Sequence, residues 1–361
     1  MNAPIVFAVP GPLDQLTGGY LFDRRIVEGL RAQGRALRVA QLPGQFPHVD
    51  AIACAAARDL ICSLSEESVL VIDGLALPAF ESLLPLKRGA AAVGFVHHPL
   101  SLETGLSPEQ ARLVDRLERA LWLALDGVIC ASASSARSVC AAGVAAERVQ
   151  VASPGVDLPE PLPAAARPEQ SPDAPVRLLC VATVTARKGH RVLVEALARL
   201  TDHAWTLDCY GSLDRDPDTV RALRQAIADR RLSDRIRLHG EQPSVELARA
   251  WQAADLFVLP SFHEGYGMVL TEAIANGIPV VSTRAGAIPD TLPAAASQLV
   301  EPGDAQALAR VLADLITHRD AREALRQAAL SARSALVSWP RAVDIWRAAL
   351  DRCVDQARVA A

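Results

Sequence analysis

With 361 residues, half of them apolar and about a fifth charged, the chain has the make-up of an ordinary globular protein and the length for two domains. A formal net charge of −4 excludes a general nucleic-acid binder, which needs a basic face to neutralise phosphates. No stretch approaches the ~18 uninterrupted apolar residues of a membrane span, and the opening MNAPIVFAVPG lacks the positive start and the apolar length of a signal peptide. The seven cysteines (54, 62, 130, 140, 180, 209 and 353) form no C-x-x-C pair, and several sit in apolar runs. Buried thiols in a reducing, cytoplasmic compartment are therefore expected, rather than disulfides or a zinc site.

In chain order, short β-branched runs alternate with amphipathic stretches. Strands are expected at Ile5–Pro10, Leu37–Gln41, Val69–Asp73, Ala91–Val96, Gly127–Ala131 and Val149–Ala152, with helical patterns such as Tyr20–Gln33, Pro108–Leu125 and Ser134–Ala142 between them. Gly34 stops the first of these helices. Residues 159–175, rich in proline and alanine and without a period, read as a linker. The alternation then restarts with strands at Val176–Ala182, Thr206–Tyr210, Ile236–His239, Leu256–Leu259 and Val280–Ser282. Helices are expected at Arg191–Leu200, Thr219–Asp229, Val245–Gln252 and Val269–Asn276, and the chain is almost wholly helical from about Asp304. Such alternation means an α/β fold with two doubly wound, Rossmann-like parallel sheets, and ligands bind such sheets at the carboxyl ends of their strands.

Four places carry candidate chemistry. Pro260 to Ala273, PSFHEGYGMVLTEA, follows a buried strand and opens a helix. Gly265 and Gly267 let the backbone approach a ligand, and the helix start offers N–H groups to anionic oxygens. Glu264 and Glu272 stand eight residues apart, with Glu272 expected about two turns into the helix; this arrangement suits hydroxyl-bearing groups better than a metal ion. The second place is Ala182 to Gly189, where Lys188, backed by Arg187, stands at a strand-to-helix turn. Of 37 basic residues only Lys87 and Lys188 are lysine, and a point cation at Lys188 would neutralise a leaving diphosphate. The third is Gly18-Gly19 at the start of the first helix, which lacks the G-x-G-x-x-G spacing of a dinucleotide site. The fourth is His97-His98 at the end of the fourth strand, a candidate polar contact or proton partner. The arginine-rich first helix (Arg24, Arg25, Arg31, Arg35, Arg38) has Asp23 and Glu28 interleaved and reads as a solvated face.

Together these stretches resemble glycosyltransferase family 4, over essentially the whole chain. The resemblance rests on Gly18-Gly19, His97, Pro154-Gly155-Val156-Asp157, Lys188-Gly189, the Glu264…Glu272 pair, Gly277-Ile278-Pro279-Val280-Val281, Gly286-Ala287-Ile288-Pro289 and Trp339. It implies a GT-B architecture with two domains facing across a cleft: an acceptor-side domain at 1–158, the linker at 159–175, and a nucleotide-sugar domain at 176–339. A last helix, about 340–361, would pack back onto the first domain. It further implies a retaining transfer from a nucleoside diphosphate sugar, UDP or GDP favoured, with no required cofactor or metal. The acceptor would be a glycan, lipid-linked or small-molecule hydroxyl, with no nucleic acid involved and membrane contact at most peripheral.

By the same resemblance Glu264 and the backbone of Gly265, Tyr266, Gly267 and Met268, with Val269, hold the donor hexose and diphosphate. Glu272 takes the ribose hydroxyls, Lys188 the diphosphate, Gly18-Gly19 the distal phosphate and His97 the sugar, so that Lys188, Glu264 and His97 form the catalytic set. Where the family has Gly-Arg before the lysine, this chain has Ala182-Thr183. Either Arg187 or the Thr183 hydroxyl takes over, or diphosphate binding is weaker. A covalent intermediate needs a carboxylate under the anomeric carbon, and none is assignable, so front-face substitution is expected. A sugar-nucleotide epimerase, a phosphorylase and a non-catalytic sugar-nucleotide-binding protein remain as alternatives.

Overall fold

The computed structural model describes residues 3–86, 90–159 and 174–360. Most of the expected linker, and Lys87, lie outside the described residues. The chain divides into two compact units, one formed by Met1–Gly155 with Val337–Ala361, the other by Val156–Leu336.

The first unit runs β1 (Ile5–Pro10), α1 (Gly18–Ala32), β2 (Leu37–Leu42), α2 (Ala51–Cys62), β3 (Val69–Asp73), β4 (Ala91–Val96), α3 (Pro108–Ala124), β5 (Gly127–Cys130), α4 (Ala133–Ala141) and β6 (Val149–Val151). Its strands form one parallel sheet in the order β2-β1-β3-β4-β5-β6. Every residue of β1, β3 and β4 is buried, which is why these strands read as continuous apolar runs rather than alternating ones. Local signals set the helix ends: Ser107 and Gln110 close a reciprocal capping box over Pro108 at the start of α3.

The second unit continues with β7 (Val176–Val181), α5 (His190–Leu197), β8 (Trp205–Tyr210), α6 (Pro217–Asp229), β9 (Ile236–Gly240), α7 (Ser244–Ala253), β10 (Leu256–Leu259), α8 (Met268–Ala275), β11 (Val280–Thr283), α9 (Ile288–Thr291), β12 (Ser297–Val300), α10 (Ala305–Thr317) and α11 (Arg319–Ala332). Its parallel sheet has the order β12-β11-β10-β7-β8-β9. The edge strand β12 is an addition to the strands expected from sequence; its burial alternates weakly, and three alanines precede it.

The last helix, α12 (Trp339–Ala360), belongs to the first unit. Trp346 is fully buried there, stacked on Phe7 with ring centroids 5.9 Å apart and edge-on to Phe95 at 5.6 Å. Aromatic contacts of this kind add to the burial of large apolar area and fix α12 against the sheet. Among the described residues no helix is long and apolar enough to cross a membrane.

In a doubly wound sheet the crevice for a ligand opens where neighbouring strands send their connections to opposite faces. The strand orders put that point between β1 and β3 in the first unit and between β7 and β10 in the second. The loops leaving those four strands carry most of the candidate residues.

Candidate functional site

In the second unit the loop after β7 and the loop after β10 are laced together. The Phe262 N–H donates to the Arg187 carbonyl at 2.8 Å, and Arg187 Nη1 donates to the His263 carbonyl at 2.9 Å. Gly189 makes this approach feasible: its φ is +70°, and a Cβ there would run into the Pro260 carbonyl oxygen. Lys188 Nζ thereby reaches Glu264 Oε1 at 2.7 Å, and Arg187 Nη1 stands 3.6 Å from Glu264 Oε2. The Ser261 hydroxyl, buried and not singled out from sequence, donates to the same Oε1 at 2.6 Å.

Glu264 is only 4% exposed. Burial alone would raise its carboxyl, but the Lys188 ammonium and the Arg187 guanidinium outweigh that and hold it below the usual glutamate range. Its backbone is fixed as well. The Ala287 N–H donates to the Glu264 carbonyl at 2.9 Å, and Gly286, with φ +56°, leaves no room for a Cβ against that oxygen. The sequence pattern around Gly286 thus has a structural reason.

Gly267, with φ +84°, is the N-cap of α8, so the helix begins at Met268 and not near Gly265. Glu272 is consequently one turn into the helix rather than two. The left-handed glycine prevents the helix from starting earlier. Thr291 Oγ1 donates to the Tyr266 carbonyl at 2.9 Å and steadies the loop between Gly265 and Gly267. Met268 and Val269 form the first turn of α8, where N–H groups lack intrahelical partners. Glu272 sits partly buried with its carboxyl raised to about 7, by burial and by the Asp157 carboxylate. The Thr183 hydroxyl makes no hydrogen bond among the described residues, whereas Arg187 stands beside Glu264.

In the first unit Gly18 and Gly19 open α1 with Thr17 as N-cap and no side-chain cap. A Cβ on Gly19 would lie 3.8 Å from the His97 ring, so these two predicted residues share one corner. His97 follows β4, and its Nε2 is 3.1 Å from Asp23 Oδ1 and 3.0 Å from Asp73 Oδ2. Asp23 and Asp73 are 1% and 2% exposed. Asp23 is therefore not part of a solvated helix face: it stands on the side of α1 that buries Phe22, Ile26, Val27 and Leu30. Burial pulls the His97 imidazole down, but Asp23 and Asp73 reverse this and push it up to about 10. Burial raises Asp23 to about 7, with the Asp73 carboxylate adding to the rise and His97 opposing it.

Among the described residues, Asp23, Asp73 and His97 are the one set of three metal-ligand types whose ligand atoms come within 4.8 Å of one another. Their short bonds to Nε2 account for that convergence without an ion. His98 is directed elsewhere, its Nε2 2.6 Å from Glu103 Oε1, while buried Glu118 accepts the Leu100 and Ser101 N–H groups and shapes this loop.

Comparison with known proteins agrees with this layout. The family model described as Glycosyl transferases group 1 matches residues 164–331, and that described as Glycosyltransferase Family 4 matches residues 27–160. Sucrose-phosphate synthase from Thermosynechococcus elongatus superposes with a TM-score of 0.80 at 20% identity, covering 98% of this chain and 99% of that one. Anabaena HepE, solved in complex with UDP and glucose, gives 0.75 at 19% identity, with 97% and 99% covered. Two doubly wound sheets with these neighbours define the fold as GT-B, and the two family models place the chain among glycosyltransferases. D-inositol 3-phosphate glycosyltransferase 1 of Catenulispora acidiphila is 33% identical over 300 residues, 76% of this chain and 69% of that protein. The chain belongs to glycosyltransferase family 4. The amylovoran biosynthesis glycosyltransferase AmsK of Erwinia amylovora is 36% identical over 183 residues, 48% of this chain; the match spans 43% of AmsK, less than half its length.

Proposed function

We propose that the chain is a retaining, metal-independent hexosyltransferase that takes its sugar from a UDP or GDP sugar and passes it to an acceptor hydroxyl. The observation that carries this reading is the convergence of Lys188, Arg187 and Glu264 where β7 and β10 part, with Glu272 one turn into α8. Two cations converging on one carboxylate suit a diphosphate and the charge that grows on it as it leaves. Glu264, held ionised, accepts hexose hydroxyls, and Glu272 accepts ribose hydroxyls. Arg187, rather than Thr183, supplies the second cation. From the first unit, Gly18-Gly19 and His97 are the groups assigned to the distal phosphate and the sugar. The UDP and glucose held by the Anabaena neighbour, and the sugar transferases among the relatives, support this donor class.

With Glu264 engaged by cations and Glu272 assigned to ribose hydroxyls, we favour front-face substitution, in which the leaving diphosphate takes the acceptor's proton. The test is thermal stability with UDP, GDP and ADP. A nucleotide at 100 times its dissociation constant stabilises the fold by ~2.7 kcal/mol. The expected result is a selective shift with UDP or GDP that shrinks in Glu272→Ala; no shift with any of the three overturns the donor class.

A further inference from the structure

His97 Nε2 faces two buried carboxylates that arrive from different elements, Asp23 from α1 and Asp73 from the end of β3. Asp73 is itself fixed, its Oδ1 accepting the Leu75 N–H at 2.7 Å. The ring packs against Phe22 and Phe95, with centroids 5.8 and 4.5 Å away, and Ser135 Oγ donates to the His97 carbonyl at 3.2 Å. Residue 97 is therefore held at its backbone, by two aromatic rings packed against its imidazole and at one ring nitrogen.

The remaining nitrogen decides the chemistry. A neutral ring with its proton on Nε2 would present Nδ1 as a lone-pair acceptor. A ring carrying the second proton presents Nδ1–H as a donor. Two carboxylates at Nε2 favour the second proton, because each is an opposite charge within about 3 Å in surroundings where burial screens little. Among the described residues, Asp23 and Asp73 are the charged groups that act on this ring; the neighbours Phe22, Phe95, Gly19 and Ser135 carry no charge.

We propose that Asp23 and Asp73 are positioning residues that hold the His97 ring by Nε2, so that it meets a ligand through Nδ1–H as a cationic donor and never as a base. Part of this rests on the donor-sugar reading given above, because the ligand met at Nδ1 is taken to be the donor sugar. Such a ring can donate to a sugar oxygen but cannot remove the acceptor's proton.

The test is the ¹⁵N signal of the His97 imidazole in the whole chain, assigned by its loss in His97→Gln and followed from pH 5 to 10.5. The wild-type ring is expected to keep the doubly protonated signature through pH 8.5, in line with its displacement to about 10. Asp23→Asn and Asp73→Asn should each lower the midpoint by at least one pH unit. A wild-type ring that titrates near 6.5, or variants that leave the midpoint unchanged, overturns the proposal. If the variants fail to fold, the wild-type titration alone decides it.

Activity supplies the separate check on the ligand. Above its lowered midpoint, each variant should lose about tenfold in donor turnover per pH unit, while the wild-type enzyme stays flat until its own ring titrates. A ring that keeps its proton as described while turnover ignores the midpoint refutes His97 as a donor-sugar contact, and leaves the positioning by the two aspartates standing.

Discussion

The two switch points of this molecule are built at the same place in the fold with opposite charge balance. In the second unit one buried carboxylate, Glu264, is met by two cations, Lys188 and Arg187. In the first unit one imidazole, His97, is met by two buried carboxylates, Asp23 and Asp73. A doubly wound sheet supplies a crevice at its switch point, but not the sign of the charge there. The β7–β10 corner brings two cations to one carboxylate, an arrangement suited to an anion. The β1–β3 corner has its acids facing inward on His97, an arrangement suited to a hydroxyl-bearing partner at that ring.

The largest effect is expected at Lys188. Lys188→Ala should lower kcat by about 10²–10³, the range for losing one preorganised charge-stabilising group. Lys188→Arg should restore only part of it, because a planar guanidinium does not reproduce a compact ammonium. Full turnover in Lys188→Ala would remove the distinction between the corners.

Stability sharpens the comparison next. Glu264→Ala removes the carboxylate that faces two largely buried cations and should cost about 3 kcal/mol in urea unfolding. Asp23→Asn should cost less at every pH above 7, since it relieves one of two crowded carboxylates. The sign follows from linkage. Folded Asp23 releases its proton near 7 and the ordinary aspartate near 3.8, so its contribution is fully present below about 3.8 and is lost as pH rises through 7. The wild-type stability slope between those values should therefore flatten in Asp23→Asn; an unchanged slope counts against the crowding.

A smaller effect concerns Glu272, raised to about 7. Ligand hydroxyls donate to the ionised carboxylate, so nucleotide affinity should rise with pH across that value, and Glu272→Gln should flatten the rise. The smallest expected change is Ser261→Ala, which removes one buried hydrogen bond to Glu264 and should cost about 1 kcal/mol. Its value would show how much of Glu264's order comes from the hydroxyl rather than from the two cations.

The β7–β10 corner was largely legible in the sequence because its parts are local. Lys188 and Glu264 each sit in a loop that directly follows an apolar run, and parallel-sheet strands announce themselves as such runs. The β1–β3 corner was only half legible. His97 ends a strand and was singled out, but its partners come from residues 23 and 73, and only the folded sheet brings them together. A signal existed for Asp23: it precedes Ile26 and Val27 by three and four residues, which places it on the apolar face of α1 despite the arginines around it. Asp73 closes the wholly buried strand VLVID, a position where a carboxylate needs a partner. The late start of α8 was hidden because the sequence shows that Gly267 can be left-handed, but not that it is.

The most direct measurement is calorimetric binding of UDP and GDP beside uridine and guanosine, on the wild-type chain and on Lys188→Ala. If the β7–β10 corner is a diphosphate site, the wild-type protein binds one of the nucleotides at least tenfold tighter than its nucleoside, and Lys188→Ala loses most of that difference. A diphosphate contribution that is absent, or that survives without Lys188, would contradict the role given to the cations of this corner.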